Sequence, residues 1–255
     1  MMDNGILNGQ QALIYGAGGA IGSAVSQAFA AAGATVHLVG RRAEPLNDLA
    51  ERIRQAGGTA ETAQVDATDE AAVTEFTDRV AEQHGSVDIC FDLTSRDEVF
   101  GAQLVDMPLA DFERPVLKSV RTMFLTSRTA ARHMIRQKSG VILCFGGYGD
   151  PMAGLGGFQT SFGAMEALKN TLACELGPHG IRVLTLQTNG IPEAIGADTD
   201  AATREEITGF TERQTLTGRA ATLDEVGKVA VFAASPYARS MTATSLNITA
   251  GAEIG

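Results

Sequence analysis

Apolar residues along this chain fall into two patterns: short runs rich in β-branched side chains, and longer stretches in which apolar positions recur every three or four residues. The first pattern belongs to buried strands and the second to amphipathic helices. Gln11 to Tyr15 reads as a strand and Gly22 to Ala32 as a helix ended by Gly33. Thr35 to Val39 is a second strand, and Pro45 to Gln55 a helix closed by Gly57 and Gly58. Strand Thr62 to Val65, helix Glu70 to Gln83 and strand Val87 to Phe91 follow. The alternation continues through a long helical stretch, Asp111 to Gln137, strand Gly140 to Phe145, helix Phe162 to Leu176 and strand Ile181 to Leu186. Helix Leu223 to Ala234 and strand Ser245 to Ile248 complete it.

Strands that alternate with helices pair in parallel through right-handed crossovers, so the expected class is α/β, a doubly wound parallel sheet with helices on both faces. The 255 residues suffice for one such domain over 1–255 and fall short of two. Periodicity fades between Gly190 and Gly218. Ligands of open α/β sheets bind beyond the carboxyl ends of the strands, so an insertion there is a candidate substrate lid.

The turn from the first strand into the first helix reads Gly16-Ala17-Gly18-Gly19-Ala20-Ile21-Gly22. Glycines let a backbone approach a pyrophosphate, and a helix start offers unpaired N–H groups with partial positive charge. A strand before, a helix after and a second strand beyond supply the context this motif needs. The chain is therefore expected to be a single-domain Rossmann fold in which Gly16, Gly18, Ala20, Ile21 and Gly22 hold a nicotinamide dinucleotide. The alternative is a tight turn with no ligand.

The second strand ends in Val39-Gly40-Arg41-Arg42, with no acidic residue to bond the ribose hydroxyls of NAD(H). Arg41 and Arg42 can instead pair with a 2′-phosphate, which favours NADP(H). Two solvated arginines at a helix start are the other reading. Asp66, followed by Ala67, ends the third strand; it either accepts from an adenine amino group or caps the next helix.

A net charge of −10 disfavours nucleic acid and anionic membranes as partners. No apolar run approaches the roughly 20 residues that cross a bilayer. Cys90, Cys144 and Cys174 sit in apolar runs with no C-x-x-C pair, as expected of buried free thiols in a reducing cytoplasm. His37, His84, His133 and His179 show no ligand spacing, so no metal site is expected. Met123, Met134, Met152 and Met165 are expected to fill core or pocket wall.

Taken in order, these segments resemble the short-chain dehydrogenase/reductase family over nearly the whole chain. Gly16 to Gly22 is similar to its T-G-x-x-x-G-x-G turn, with Tyr15 for Thr and Ala20 for the middle Gly. Val65-Asp66, Val87-Asp88-Ile89, Ile181-Arg182-Val183, Gly218-Arg219 with Glu225-Val226, and Asn247 to Gly251 resemble further motifs of the family at matching spacing. The resemblance implies hydride transfer between a nicotinamide and a carbonyl or alcohol of a small molecule, in a homotetramer or homodimer. Such an assembly would bury 111–137, 162–176 and the end from Ser245. Ile191, just past the Asn189-Gly190 that stands at the family's P-G turn, is implied at the cofactor.

The family's four catalytic positions have all changed. Its Tyr falls on Phe162, its Lys on Glu166, its Ser on Gly147 and its Asn on Ser119. Phe162 has no proton to exchange, and Glu166 carries the wrong sign to depress a phenol pKa. Glu166 could still accept from ribose hydroxyls. Tyr148, with Asp150 near it, is either a substitute proton donor or a surface loop residue. Asp92 is either a base or a partner for loop N–H groups, and Gln159 to Ser161 either line a pocket or cap a helix. The expected function is an NADP(H)-binding oxidoreductase without the usual Tyr–Lys pair. A cofactor-binding pseudoenzyme and a non-redox cyclase, isomerase or lyase are the alternatives.

Overall fold

A computed structural model of the chain describes residues 5–146, 152–196 and 198–254. Seven strands form one sheet: β1 Gln11–Tyr15, β2 Thr35–Gly40, β3 Thr59–Gln64, β4 Ile89–Asp92, β5 Gly140–Gly146, β6 Ile181–Gln187 and β7 Thr244–Asn247. Seven α-helices join them: α1 Ala20–Ala31, α2 Ala43–Gln55, α3 Glu70–His84, α4 Leu109–Gln137, α5 Gly156–Leu176, α6 Ala201–Arg213 and α7 Leu223–Ala234. The strand order is β3-β2-β1-β4-β5-β6-β7, and every pairing is parallel. This is a single-domain Rossmann-type doubly wound sheet. Its topological switch point lies between β1 and β4, where successive crossovers leave on opposite sides.

Side chains alternate across each strand, so β1 serves two cores. Ala12 and Ile14 pack with Val25 and Phe29 of α1, Leu49 of α2 and Val226 of α7. Leu13 and Tyr15 face the other way, toward Val73 and Phe76 of α3, Met123 of α4 and Met165 of α5. A central strand buried on both faces reads as a continuous apolar run, as Gln11 to Tyr15 does. Fully burying a side chain such as Phe29 contributes roughly 1.5–3 kcal/mol.

Three elements depart from the sequence reading. Helix α6 lies inside the stretch expected to be an irregular insertion. Its buried face is confined to Thr211, so it has almost no apolar stripe to detect, but Asp200 caps it through Thr203. Helix α5 begins at Gly156 rather than Phe162. A Cβ on Gly157 would come 2.0 Å from the Phe112 carbonyl oxygen, so glycine there is a packing requirement of the α4–α5 contact rather than a helix breaker. Strand β3 starts at Thr59, ahead of Thr62, because its first residues form a mostly exposed edge. Two side chains are also placed differently: Cys174 and Met152 are exposed, whereas Cys90 and Cys144 are buried. No helix among the described residues is long and apolar enough to cross a membrane.

Candidate active site and cofactor cleft

A cleft of about 780 Å³ opens at the carboxyl ends of β1 to β4, with Gly18, Arg41, Asp66, Thr94 and Lys118 among its walls. Its floor is the turn from β1 to α1. Gly16 has φ +78°, and a Cβ there would lie 2.3 Å from the Leu93 carbonyl oxygen. A Cβ on Gly22 would lie 2.3 Å from the Gly16 carbonyl oxygen, so these two glycines are fixed by the protein's own backbone. Gly18 differs. It is exposed, and a Cβ there would meet side chains rather than backbone, Pro45 at 3.2 Å and Leu46 at 3.8 Å.

Helix α1 starts at an N-cap glycine, Gly19, with no side-chain cap and no acidic residue in its first turn. The first-turn N–H groups, among them those of Ala20, Ile21 and Gly22, face a cleft to which all three residues contribute. This arrangement fits an anionic diphosphate. On the rim, Arg41 and Arg42 are exposed, and Gln64 holds the Arg41 carbonyl through a 2.9 Å hydrogen bond. Asp66 does not cap α3; Asp69 does, accepting from Ala71 and Ala72. Asp66 instead closes a local turn by accepting from the backbone N–H and hydroxyl of Thr68. The Thr68 N–H, the Thr68 hydroxyl and the nearby charges of Arg41 and Lys118 hold its carboxyl below the usual range. Asp66 and the buried Ala67 both line the cleft.

The positions at which the family's chemistry is expected look different. Phe162 is buried, packs edge-on against Phe158 at 4.6 Å, and has the Arg96 guanidinium 4.9 Å from its ring centroid. Arg96 donates to the Phe145 carbonyl, and burial pulls its pKa below the ordinary arginine value. Glu166 does not line the cofactor cleft. It accepts from Nζ of Lys169, which is only 1% exposed. Phe162, Met165, Glu166 and Lys169 share one helical face by their three- and four-residue spacing. Phe162, Met165 and Glu166 form one wall of a second cavity, of about 250 Å³, which Phe145 and Gln187 also line.

Behind this wall the polar groups form short local bonds. Asp92 accepts from the Thr94 N–H and hydroxyl, as a loop-closing residue does, and Thr94 continues to Thr122 at 3.2 Å. The Cys144 thiol is pushed up to about 12 by burial and by the charge of Asp92, so it is no nucleophile. Ser119 is buried, and its hydroxyl oxygen has no partner among the described residues. Ile191 is buried in the core on the α1 side, while Ala194 reaches the cleft. Gln159, Thr160 and Ser161 lie within α5, where Thr160 and Ser161 bond the carbonyls of Gly156 and Phe158, so they do not cap it. Gly147, Tyr148 and Asp150 fall outside the described residues.

Two residues of this wall escaped sequence reasoning: Arg96 and Lys169. Arg96 had no detectable signal, because a loop places it. Lys169 had one, since a lysine seven residues after Phe162 on an apolar helix face calls for a buried partner. Away from the cleft, the structure also gathers His37, Glu61 and His84, which are remote in sequence.

A glycine turn feeding an uncapped helix at the switch point of a doubly wound sheet defines a dinucleotide-binding protein. The sequence profile of the family described as enoyl-(acyl carrier protein) reductase matches residues 16–253. Over 255 residues the chain is 31% identical to 7alpha-hydroxysteroid dehydrogenase of Escherichia coli (strain K12), covering 98% of this chain and 96% of that protein. It is 30% identical to secoisolariciresinol dehydrogenase of Forsythia intermedia, covering 96% and 89%. Among solved structures, a short-chain type dehydrogenase/reductase from Mycobacterium marinum superposes with a TM-score of 0.87 at 28% identity, covering 98% and 97%. NAD+-bound xylitol dehydrogenase gives a TM-score of 0.85 at 26% identity, covering 96% and 99%. The chain belongs to the short-chain dehydrogenase/reductase family of oxidoreductases, whose members bind nicotinamide cofactors.

Proposed function

We propose that this protein is an NADP(H)-dependent oxidoreductase that reduces the carbonyl of a small, largely apolar molecule, and that the Glu166–Lys169 pair supplies the proton in place of a phenol. The observation that carries the redox reading is the glycine cleft: the Gly16–Gly22 turn and the uncapped start of α1, both of which line it. Arg41 and Arg42 on the rim support NADP(H), because an exposed guanidinium pairs a 2′-phosphate and a ribose diol offers it no charge. The cofactor, when bound, supplies hydride to the carbonyl carbon.

The chain's own residues then have three tasks. The turn and the arginines bind and orient the cofactor. The wall of Phe145, Phe162 and Met165 shields the substrate from water. A proton held between Lys169 Nζ and Glu166 passes to the developing alkoxide, so that carbonyl, hydride and proton give the alcohol. Glu166 is the group that can do this, because its carboxylate reaches the apolar cavity while its partner ammonium is buried. Orientation and the cofactor's intrinsic chemistry carry most of such a reaction, and the general acid adds about 10² to 10⁴ in rate. Helix α6, within 190–218, serves as the lid. Exposed Leu117 and Phe124 on α4 support assembly as a homodimer or homotetramer in the cytoplasm, and light scattering at micromolar concentration tests the assembly.

The deciding experiment follows NADPH absorbance and alcohol product together over a panel of apolar ketones. One NADPH consumed per alcohol is the expected result. Turnover of any substrate without absorbance change would replace this reading with a lyase or isomerase. The Arg96 guanidinium over Phe162 favours a second reading, a protein that binds cofactor without turnover; NADPH binding with no reaction on any ketone would be its mark.

A further inference from the structure

The cluster of His37, Glu61 and His84 lies outside the cleft, on the α3 side of the sheet. His37 and Glu61 are directly paired neighbours on β2 and β3, and His84 is the last residue of α3. One ligand atom from each lies within 4.8 Å of the others. Glu61 bridges, with one oxygen 3.6 Å from His37 Nδ1 and the other 3.4 Å from His84 Nε2. Two ligands of a tetrahedral zinc ion with bonds of about 2.05 Å stand ~3.3 Å apart. Each histidine therefore stands near ligand–ligand distance from one Glu61 oxygen, a different oxygen for each, and the two imidazole rings have their centroids 4.9 Å apart.

The hydrogen bonding of His37 points the same way. Its Nε2 lies 3.0 Å from the Gln11 side-chain oxygen, an atom that only accepts. Nε2 must then carry the proton, which leaves the Nδ1 lone pair facing the Glu61 carboxylate. Two acceptors so placed need a proton or a cation between them. A histidine oriented by an outer hydrogen bond, with its other nitrogen neutral and aimed at a carboxylate, is the arrangement of a metal ligand. Glu61 is half exposed and His84 partly so, which leaves an entry path and room for water as a fourth ligand.

We propose that His37, Glu61 and His84 form a binding site for one zinc-like divalent cation. The imidazole and carboxylate donors select a borderline metal over magnesium or calcium. The ion would fasten the exposed edge strand β3 to β2 and to the end of α3. His37 is three residues before Gly40, about 10 Å along the strand from the rim that carries Arg41. The site is therefore a structural fastening distinct from the redox cleft, and its test does not depend on turnover.

The test titrates zinc chloride into metal-stripped, tag-free protein by calorimetry, with cobalt absorption as a second readout and Tm as a third. Wild type is expected to take up one ion per chain at micromolar or tighter affinity, with tetrahedral-type cobalt bands and a Tm raised by several degrees. Glu61→Gln and His84→Ala each change an accessible side chain and should keep the fold, which circular dichroism checks. Each should weaken zinc at least tenfold and abolish the Tm shift. Millimolar magnesium should not compete. No zinc uptake by wild type, or uptake unchanged in both folded variants, overturns the proposal.

Discussion

The β1–α1 turn and the first half of α5 both border ligand-sized cavities, yet different demands shape them. In the turn, Gly16 and Gly22 are demanded by the protein's own backbone, and the exposed Gly18 lines the cleft. In α5, the two positions expected to exchange protons, Phe162 and Glu166, are a buried ring and a carboxylate tied to a buried lysine. Under the proposed function, cofactor binding and proton transfer are separable, because different strands carry them. The cofactor turn hangs on β1 and β4, whereas the rebuilt wall hangs on β5, β6 and α5.

The largest effect is expected where the two halves can be separated most cleanly. Gly22→Val drives a side chain into the Gly16 carbonyl, so NADPH binding should vanish in a fluorescence titration. Stability should fall by about 1–3 kcal/mol from overpacking. Retained binding would mean that the cleft does not hold the cofactor.

Next comes the Glu166–Lys169 pair, and here the two partners should differ. Glu166→Ala strands an ammonium that is 1% exposed, and denaturant unfolding should show a loss of about 3 kcal/mol or more. Lys169→Met leaves a carboxylate that reaches solvent, so stability should hold or rise. Both variants should lose about 10² to 10⁴ in turnover with NADPH affinity nearly unchanged. Full turnover in Lys169→Met would remove the pair from the mechanism.

A smaller effect is expected at the rim. Arg41→Ala should weaken NADPH by roughly tenfold to a hundredfold, the worth of a charge-assisted phosphate contact, and leave NADH nearly untouched. Equal losses for the two cofactors would assign Arg41 to something other than the 2′-phosphate.

Smallest of all, Phe162→Tyr should change turnover by less than about threefold. The new hydroxyl would have Arg96 over its ring and a carboxylate, not an ammonium, at the position four residues on. A gain of a hundredfold would mean that the rebuilt wall still works as its relatives do.

Each strand of the sheet was legible in the sequence, because strands buried on both faces leave apolar runs, although β4 lies at Ile89–Asp92 rather than Val87 to Phe91. Gln11 to Tyr15 and Leu223 to Ala234 have the bounds their patterns predict. Helix α6 was not legible, because an element that buries little leaves little periodicity. The glycine turn between β1 and α1 could be read from glycine spacing alone, since close backbone approach is a local demand. The rebuilt wall could not. Its losses showed at Phe162 and Glu166, but its replacements depend on which side chains the fold brings together: Lys169 one turn further along α5, and Arg96 from the loop after β4. The same limit hid His37, Glu61 and His84, whose ligand geometry exists only across β2, β3 and the end of α3.

The close approach of Gly16 to Leu93 also sets an order of events on the ribosome. β1 can pair with β2, and β2 with β3, as soon as they are made, because all three are near in sequence. Its other edge stays open until β4 arrives, and the Leu93 N–H then bonds the Tyr15 carbonyl. At about 5–20 residues per second, the nascent chain carries an open, apolar β1 edge for several seconds. The glycine turn cannot take its final form in that interval, so a chain interrupted before β4 should offer chaperones an unpaired strand and bind no cofactor.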